Sequence, residues 1–586
     1  MTYQTLQKSN YDKFPSVKVN PQHDICYCGW DAITERLNCS MTEPGRKYLV
    51  IDCYNGVIDS EVKTSLMQGL QYAGFVDTAD AMLPGTAIDT FFKDDVTDDE
   101  IFGYKTRYGI EAYFDPQKVA QLRSKLSGMR EDIVVIYGVG AAYIAQQIDV
   151  LVYADMARWE IQMRYRRNEA WNVGMDNREE RASLKYKRAF FVDWRILDRH
   201  KKRFINRWDY VLDTNTQNKP KMTTGEAVRD TLKNAVCQPF RVVPFFDPGP
   251  WGGQWMKEVC DLDRETINFA WCFDCVPEEN SLLLKFSNAL FEIPSIDLVF
   301  YQPRQLLGEA VHGRFGDEFP IRFDFLDTMD GGNLSLQVHP LTEYIQEKFG
   351  MHYTQDESYY MLDAEPGAFV YLGLKDGVNP AAMIDELRQS LESGVFDAER
   401  HVGKYPIKKH DHVLIPGGTV HCSGKNSMVL EISATPYIFT FKLWDWGRLG
   451  LDGRPRPINI EHGRNSIQWE RTEKWVKKNL INRIKVIGGG EGWREESTGL
   501  HEREFIETRR FWFTETTFHH TRNGVNVLNL VEGKEVIVES PHGRFEPFVV
   551  HYAETFIVPA RVSEYSIRPY GESEGKECGI IKAYVR

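Results

Sequence analysis

From Lys47 to about Asp213, apolar runs of strand length alternate with stretches of helical period. "KYLVIDCY" precedes "DSEVKTSLMQGLQYAGF", and the runs "DIVVIYGVGA" and "IDVLVYAD" lead into "MARWEIQMRYRRNEAW". Strands that are apolar on both faces and separated by helices predict a parallel sheet covered on each side. Residues 1–220 are therefore expected to form an α/β domain. The polar "DTNTQNKPKMTTGEAV" reads as a linker. Beyond it the pattern changes to short strands punctuated by glycine and proline, from "RVVPFFDPGPWGGQW" to the C-terminus. Helical character is confined there to insertions such as "NPAAMIDELRQSLESGVF", about 379–395. That is the texture of all-β barrels. It recurs from about Arg509, so one barrel is expected over 240–508 and a second over 509–586.

Within this β region, "GGNLSLQVHP" (331–340) alternates, yet it carries Gln337 and His339 on one face while Leu334, Leu336 and Val338 line the other. Buried polar groups without partners cost about 1–3 kcal/mol each. Either both side chains are hydrogen-bonded, or both face a cavity and bind something there. A second stretch, "HDHVLIPGGTVHCSGKN", holds Pro416, Gly418 and His421 in the spacing PxGxxH after an apolar strand. Its Pro-Gly turn would aim the histidine back into a barrel. Between the two lies "DESYYMLDAEPGAFVYLGL", where Glu357 opens a strand. Two imidazoles, a carboxylate and an amide oxygen suit zinc or another first-row divalent ion and leave a coordination position for water or substrate. His410 and His412 in "HDH" offer a rival pair by spacing. Lys408, Lys409 and Asp411 place them instead beside a solvated turn.

Composition narrows the function classes. The chain has 586 residues, 42% hydrophobic and 26% charged, enough for about three to five domains at roughly 100–200 residues each. A formal net charge of −13 argues against a nucleic-acid or anionic-membrane binder and leaves room only for a local basic pocket. No apolar run follows a basic start, and none approaches the ~18 residues of a membrane span, so a cytoplasmic protein is expected. The ten cysteines are scattered and mostly set in apolar runs, and the Cys26/Cys28 pair lacks a second pair to complete a zinc site. They are expected to be reduced and structural.

The run QVHP, then DESYYMLDAEPGA, the helical insertion, IPGGTVH and "LEISATPYIFTFKLWDWGRLGLDGRPRPINIE" resembles the type I mannose-6-phosphate isomerases of the cupin superfamily, over about residues 240–586. "WGG" at Trp251–Gly253 and "FPIRFDFLD" belong to the same likeness. The resemblance implies Gln337, His339, Glu357 and His421 as ligands of Zn²⁺ or a similar divalent ion, and Arg456, in DGxPR, as an active-site arginine. It implies a sugar-phosphate substrate, with mannose 6-phosphate and fructose 6-phosphate interconverted through a cis-enediol. Such a reaction needs a base beside a carbonyl and positive charge on the developing oxyanion. The chain departs from the family where Asp324 replaces a lysine. Arg322 on the same strand face would then supply charge, or Asp324 would act as a base. Lys442 replaces an arginine in "TFKLWDWGR", and His410 a turn glycine in "KKHD". These departures keep open a sugar-phosphate binding or regulatory protein, or an isomerase of a different sugar.

The first region resembles P-loop nucleoside kinases of the uridine kinase type, through "DVLVYADMARWEIQMRYRRN" and "FFVDWRILDRHK". The turn after "KYLVID" lacks GxxxxGK[ST], so a kinase-like domain without phosphotransfer is expected. The GxG of "YGVGAAYIA" is assigned to strand–helix packing, and "VIGGGEGW" to a flexible loop. The C-terminal barrel keeps the proline turn in "YAETFIVPARVSEYSI" without its histidine, with Glu564 nearby. Packing without a metal is its expected role.

Overall fold

The apolar runs of the first region pair as one seven-stranded sheet. Its order is Cys26–Cys28, Lys221–Thr224, Tyr210–Asp213, Val150–Asp155, Lys47–Cys53, Ile133–Gly138, Ala73–Asp77. The last five strands are parallel and the first two antiparallel. Leu49, Val50, Ile51, Val134 and Val135 are completely buried, which is why these strands show no polar alternation. The computed structural model describes residues 9–42, 45–71, 73–434, 437, 439–499 and 504–586.

Two compact units result. One comprises Ser16–Ala235 and Glu278–Tyr301; the other contains Val236–Pro277 and Gln302–Arg586, with the start of the chain up to Pro15. The polar stretch read as a linker is instead the strand Lys221–Thr224 and the helix Gly225–Ala235. Its polar side chains satisfy one another: Asp213 accepts from Lys221 Nζ at 2.7 Å and from the Asn215 backbone N at 2.9 Å. Polarity here marked a hairpin. The segment Glu278–Tyr301 lies within the span 240–508 but joins the α/β unit. Its strand Ser281–Lys285 runs parallel to Ser16–Lys18, and Lys201 Nζ meets Asp297 Oδ1 at 2.9 Å.

The carboxyl ends of the parallel strands open on a cavity of about 800 Å³ that includes Asp59, Asp77 and Trp171, the usual ligand position in such sheets. In the GxG turn, the backbone N–H groups of Gly140 and Ala142 donate to Asp52 at 3.2 and 2.8 Å. The turn's donors are thus taken up by the protein itself.

The second unit contains two β-sandwich barrels. In the first, a six-stranded sheet (His412–Ile415, Glu357–Ala364, Ser427–Ser433, Arg322–Asp327, Trp271–Cys275, Phe245–Asp247) accompanies a five-stranded one (Val402–Pro406, Phe369–Leu374, His421–Ser423, Leu336–Val338, Phe441–Trp444). The WGG motif serves close packing: a Cβ on Gly253 would stand 2.1 Å from Asp327 Oδ1. The helix Pro380–Ser393 forms where the insertion was expected. The second barrel begins well before Arg509. "VIGGGEGW" is part of its edge hairpin, Lys485–Gly490 paired antiparallel with Trp493–Ser497. An exposed edge tolerates the glycines that suggested a loop.

Candidate metal centre

Cross-strand register brings the distant polar residues together. Gln337 stands directly opposite His421, His339 follows two residues later at the strand end, and Glu357 opens a strand of the other sheet. All four are buried, the two histidines and Glu357 almost completely. Ligand atoms of His339, Glu357 and His421 lie within 4.8 Å of one another, a convergence unique among the described residues.

The outer nitrogen of each imidazole is committed. His339 Nδ1 donates to the Phe439 carbonyl at 2.7 Å, and His421 Nδ1 to the Thr419 carbonyl at 2.8 Å. With the proton held at Nδ1, each Nε2 presents its lone pair inward. His339 Nε2 lies 3.1 Å from Glu357 Oε2, and His421 Nε2 2.7 Å from Glu357 Oε1. Yet His339 Nε2 and Glu357 Oε1 have no aligned hydrogen-bond partner. Close, misaligned and buried, these atoms have the arrangement of ligands aimed at a shared point. Burial opposes charge on Glu357, but His339 and His421 hold its carboxyl well below the usual range. Burial likewise opposes protonation of His339, and Glu357 overrides it to raise the histidine's pKa. The pocket calls for positive charge, and the donor set fits a divalent ion.

Local structure fixes the aim. Gly418 has φ +86°, and a Cβ there would stand 2.7 Å from the Ser466 carbonyl. The Gly418 N–H donates to the His339 carbonyl at 2.9 Å, tying the two histidine segments together. Arg471 clamps the same turn through the Pro416 and Gly417 carbonyls and Thr419 Oγ1, at 2.9, 2.7 and 2.6 Å.

Arg322 and Asp324 form a buried ion pair with each other. Lys442 is the cross-strand neighbour of Gln337; burial and then Arg456 pull its pKa down to about 7, against Asp445. Arg456 Nη1 donates to Asp445 Oδ2 at 2.7 Å and to Ser335 Oγ at 3.1 Å, beside the Gln337 strand. The HDH pair stays out of the cluster. His412 is fully buried rather than beside a solvated turn, with Nδ1 donating to the Thr498 carbonyl at 3.0 Å. His410 bonds Tyr360 and Glu532. The lysines and aspartate around this pair suggested water, but strand pairing carries His412 inward.

Sequence reasoning missed Glu431 and Gln355. Glu431 is 6% exposed and sits in register opposite both Asp324 and Tyr359. Burial, then the charges of Glu357 and Asp324, raise its pKa well above the usual carboxylate range. Gln355 Nε2 donates to Glu357 Oε2 at 3.3 Å and to Glu431 Oε1 at 3.4 Å. A glutamate inside the apolar run "SMVLEIS" was the available signal, of the same kind as Gln337.

Residues 29–237 match a family model described as a domain of unknown function, DUF8485. The mannose-6-phosphate isomerase of Streptococcus mutans serotype c is 29% identical over 213 residues, 36% of this chain and 62% of that protein. The mannose-6-phosphate isomerase ManA of Bacillus subtilis is 24% identical over 225 residues, 38% of this chain and 66% of that protein. The chain thus spans less than two thirds of either relative. The crystal structure of mannose 6-phosphate isomerase from Bacillus subtilis superposes with a TM-score of 0.48 at 19% identity, covering 59% of this chain and 99% of that one.

Proposed function

We propose that the protein is a metal-dependent aldose–ketose isomerase interconverting mannose 6-phosphate and fructose 6-phosphate through a cis-enediol. The observation that carries this reading is the convergence of His339, Glu357 and His421, with both Nδ1 protons directed outward. These residues and Gln337 would hold Zn²⁺ or another first-row divalent ion. Bound there, the ion supplies Lewis-acid polarisation of the sugar carbonyl. Glu431 lies between Glu357 and Asp324 on one sheet face and, once ionised, would carry the proton between the two carbons. Arg456 and Lys442 line the same strand neighbourhood and would neutralise the enediolate or the phosphate. Asp324 would tune Glu431, with Arg322 balancing its charge.

The test is a coupled assay of the purified protein with added Zn²⁺. Conversion of mannose 6-phosphate supports the reading, and absence of turnover by protein that retains the metal defeats it. A second reading, a sugar-phosphate binding or regulatory protein, draws on the Arg322–Asp324 pair, in which an aspartate stands where the resemblance implies a lysine. Asp324→Lys would separate the two: a gain of turnover identifies the substitution as the cause of lost activity. An isomerase of a different sugar would turn over another aldose with the same metal requirement.

For the α/β unit, the kinase-like reading draws support from its parallel sheet with a cavity at the strand ends. Without a phosphate-binding glycine loop or lysine, it would bind no ATP. An ATP-dependent thermal shift would refute that. Among the described residues no helix is long and apolar enough to cross a membrane, and the ten cysteines are free.

A further inference from the structure

The second barrel, expected to serve packing alone, has a cavity of its own, about 270 Å³, whose lining includes Glu495, Phe511, Phe518, His519, Arg522 and Lys582. Along the strand Cys578–Val585, Cys578 and Ile580 enter the apolar core. The two-residue period brings Lys582 to the same inward face, at a position where the pattern calls for an apolar residue. Lys582 is 6% exposed. Among the described residues its ammonium has neither a hydrogen bond nor an ion pair; it lies 4.9 Å from the Phe511 ring centre and 5.8 Å from that of Tyr584.

The nearby carboxylates are already engaged. Glu495 accepts from Arg509 Nη1 at 2.6 Å, and Glu507 from Arg509 Nε at 2.8 Å. Burial chiefly, opposed by Glu495 and assisted by Arg509 and Arg522, lowers the Lys582 pKa to about 8. Arg509 balances one of the two glutamates, so Lys582 and Arg522 together leave the cavity with one net positive charge. His519 is buried against Phe511 and Tyr565, at 4.6 and 5.1 Å between ring centres, and its Nδ1 has no partner. Phe518, 75% exposed, offers an aromatic face at the rim. A buried cation without a counter-ion is unfavourable unless a ligand supplies one. Two cations without hydrogen bonds among the described residues, in a cavity of net positive charge, suit the several oxygens of one phosphate group better than the two of a carboxylate.

We propose that the mouth of the second barrel binds a small phosphate monoester, its oxygens held by Lys582 and Arg522 and its carbon skeleton laid on Phe518. The site is separate from the metal centre and does not depend on the isomerase reading.

The test uses the full-length protein, inorganic phosphate and phenyl phosphate at constant ionic strength, with thermal unfolding as readout. Phenyl phosphate should raise Tm saturably, and inorganic phosphate less strongly. Lys582→Met should raise the ligand-free Tm, which confirms folding, and should weaken phenyl phosphate binding by about tenfold or more, as should Arg522→Ser. Phe518→Ala should abolish the preference for phenyl phosphate over inorganic phosphate. His421→Asn, altered only in the first barrel, should bind phenyl phosphate like the unsubstituted protein. An unchanged affinity in Lys582→Met, no saturable response in the unsubstituted protein, or loss of binding in His421→Asn would each overturn the proposal.

Discussion

Gln337 and His421 face each other across an antiparallel strand pair, and their side-chain nitrogens lie 3.2 Å apart. This pairing places an amide and an imidazole on the same pocket as Glu357, whose carboxylate is the cluster's one anion. Glu357→Gln removes that charge while keeping the shape. Zinc in the purified protein, measured by elemental analysis, is expected to fall from near-stoichiometric to trace. Gln355→Ala releases one side of the carboxylate and should weaken metal affinity by about 10–100-fold, as loss of an outer-shell partner does. Chelation of the unsubstituted protein should lower Tm, and Zn²⁺ should restore it, because an ion bound only by the folded state stabilises it.

Gly418→Ala tests the turn that aims His421. The left-handed backbone alone penalises a side chain by about 1–3 kcal/mol, and contact with the Ser466 carbonyl adds to it. A lower urea midpoint together with lower zinc content is expected. Unchanged values in both would show that the turn is more plastic than its clamping by Arg471 implies.

His412 supplies a pH dependence independent of the candidate metal centre. Burial, together with Arg510 and against the hydrogen bond to Thr498, lowers its pKa to about 4. The unfolded chain binds this proton near pH 6.5. The associated stability is therefore fully present above pH 6.5 and is lost as pH falls towards 4, by about 3 kcal/mol in total. His412→Gln should flatten the difference in stability between pH 7 and pH 4. Hydrogen–deuterium exchange at the imidazole C2 position should report a pKa far below 6.5.

The Arg322–Asp324 pair is buried on both sides, with relative exposures of 7% and 3%. Asp324→Asn takes the carboxylate from a buried guanidinium and should destabilise by about 3–5 kcal/mol. Replacing both, as Arg322→Met with Asp324→Leu, should recover most of that loss or exceed it, since an apolar pair carries no desolvation penalty. Urea denaturation of the two variants measures the difference. Equal losses would mean that the pair's role is packing rather than charge.

Much of the site could be read from the residues themselves. The alternation in "LSLQVHP" sets Gln337 and His339 on one face, and the Pro-Gly turn before His421 points it inward, because strand period and turn chemistry are local properties. The α/β texture of the first region was legible for the same reason. What only the tertiary structure decided is non-local. Register across the six-stranded sheet puts Glu431 opposite Asp324, and folding buries it beside Glu357, raising its pKa. The Phe439 and Thr419 carbonyls choose the histidine tautomers. Segment 278–301 leaves the β region in sequence and completes the α/β unit through pairing with Ser16–Lys18. Side-chain type and spacing are written along the chain, whereas proton affinity and partner depend on which distant strands meet and how much water they exclude.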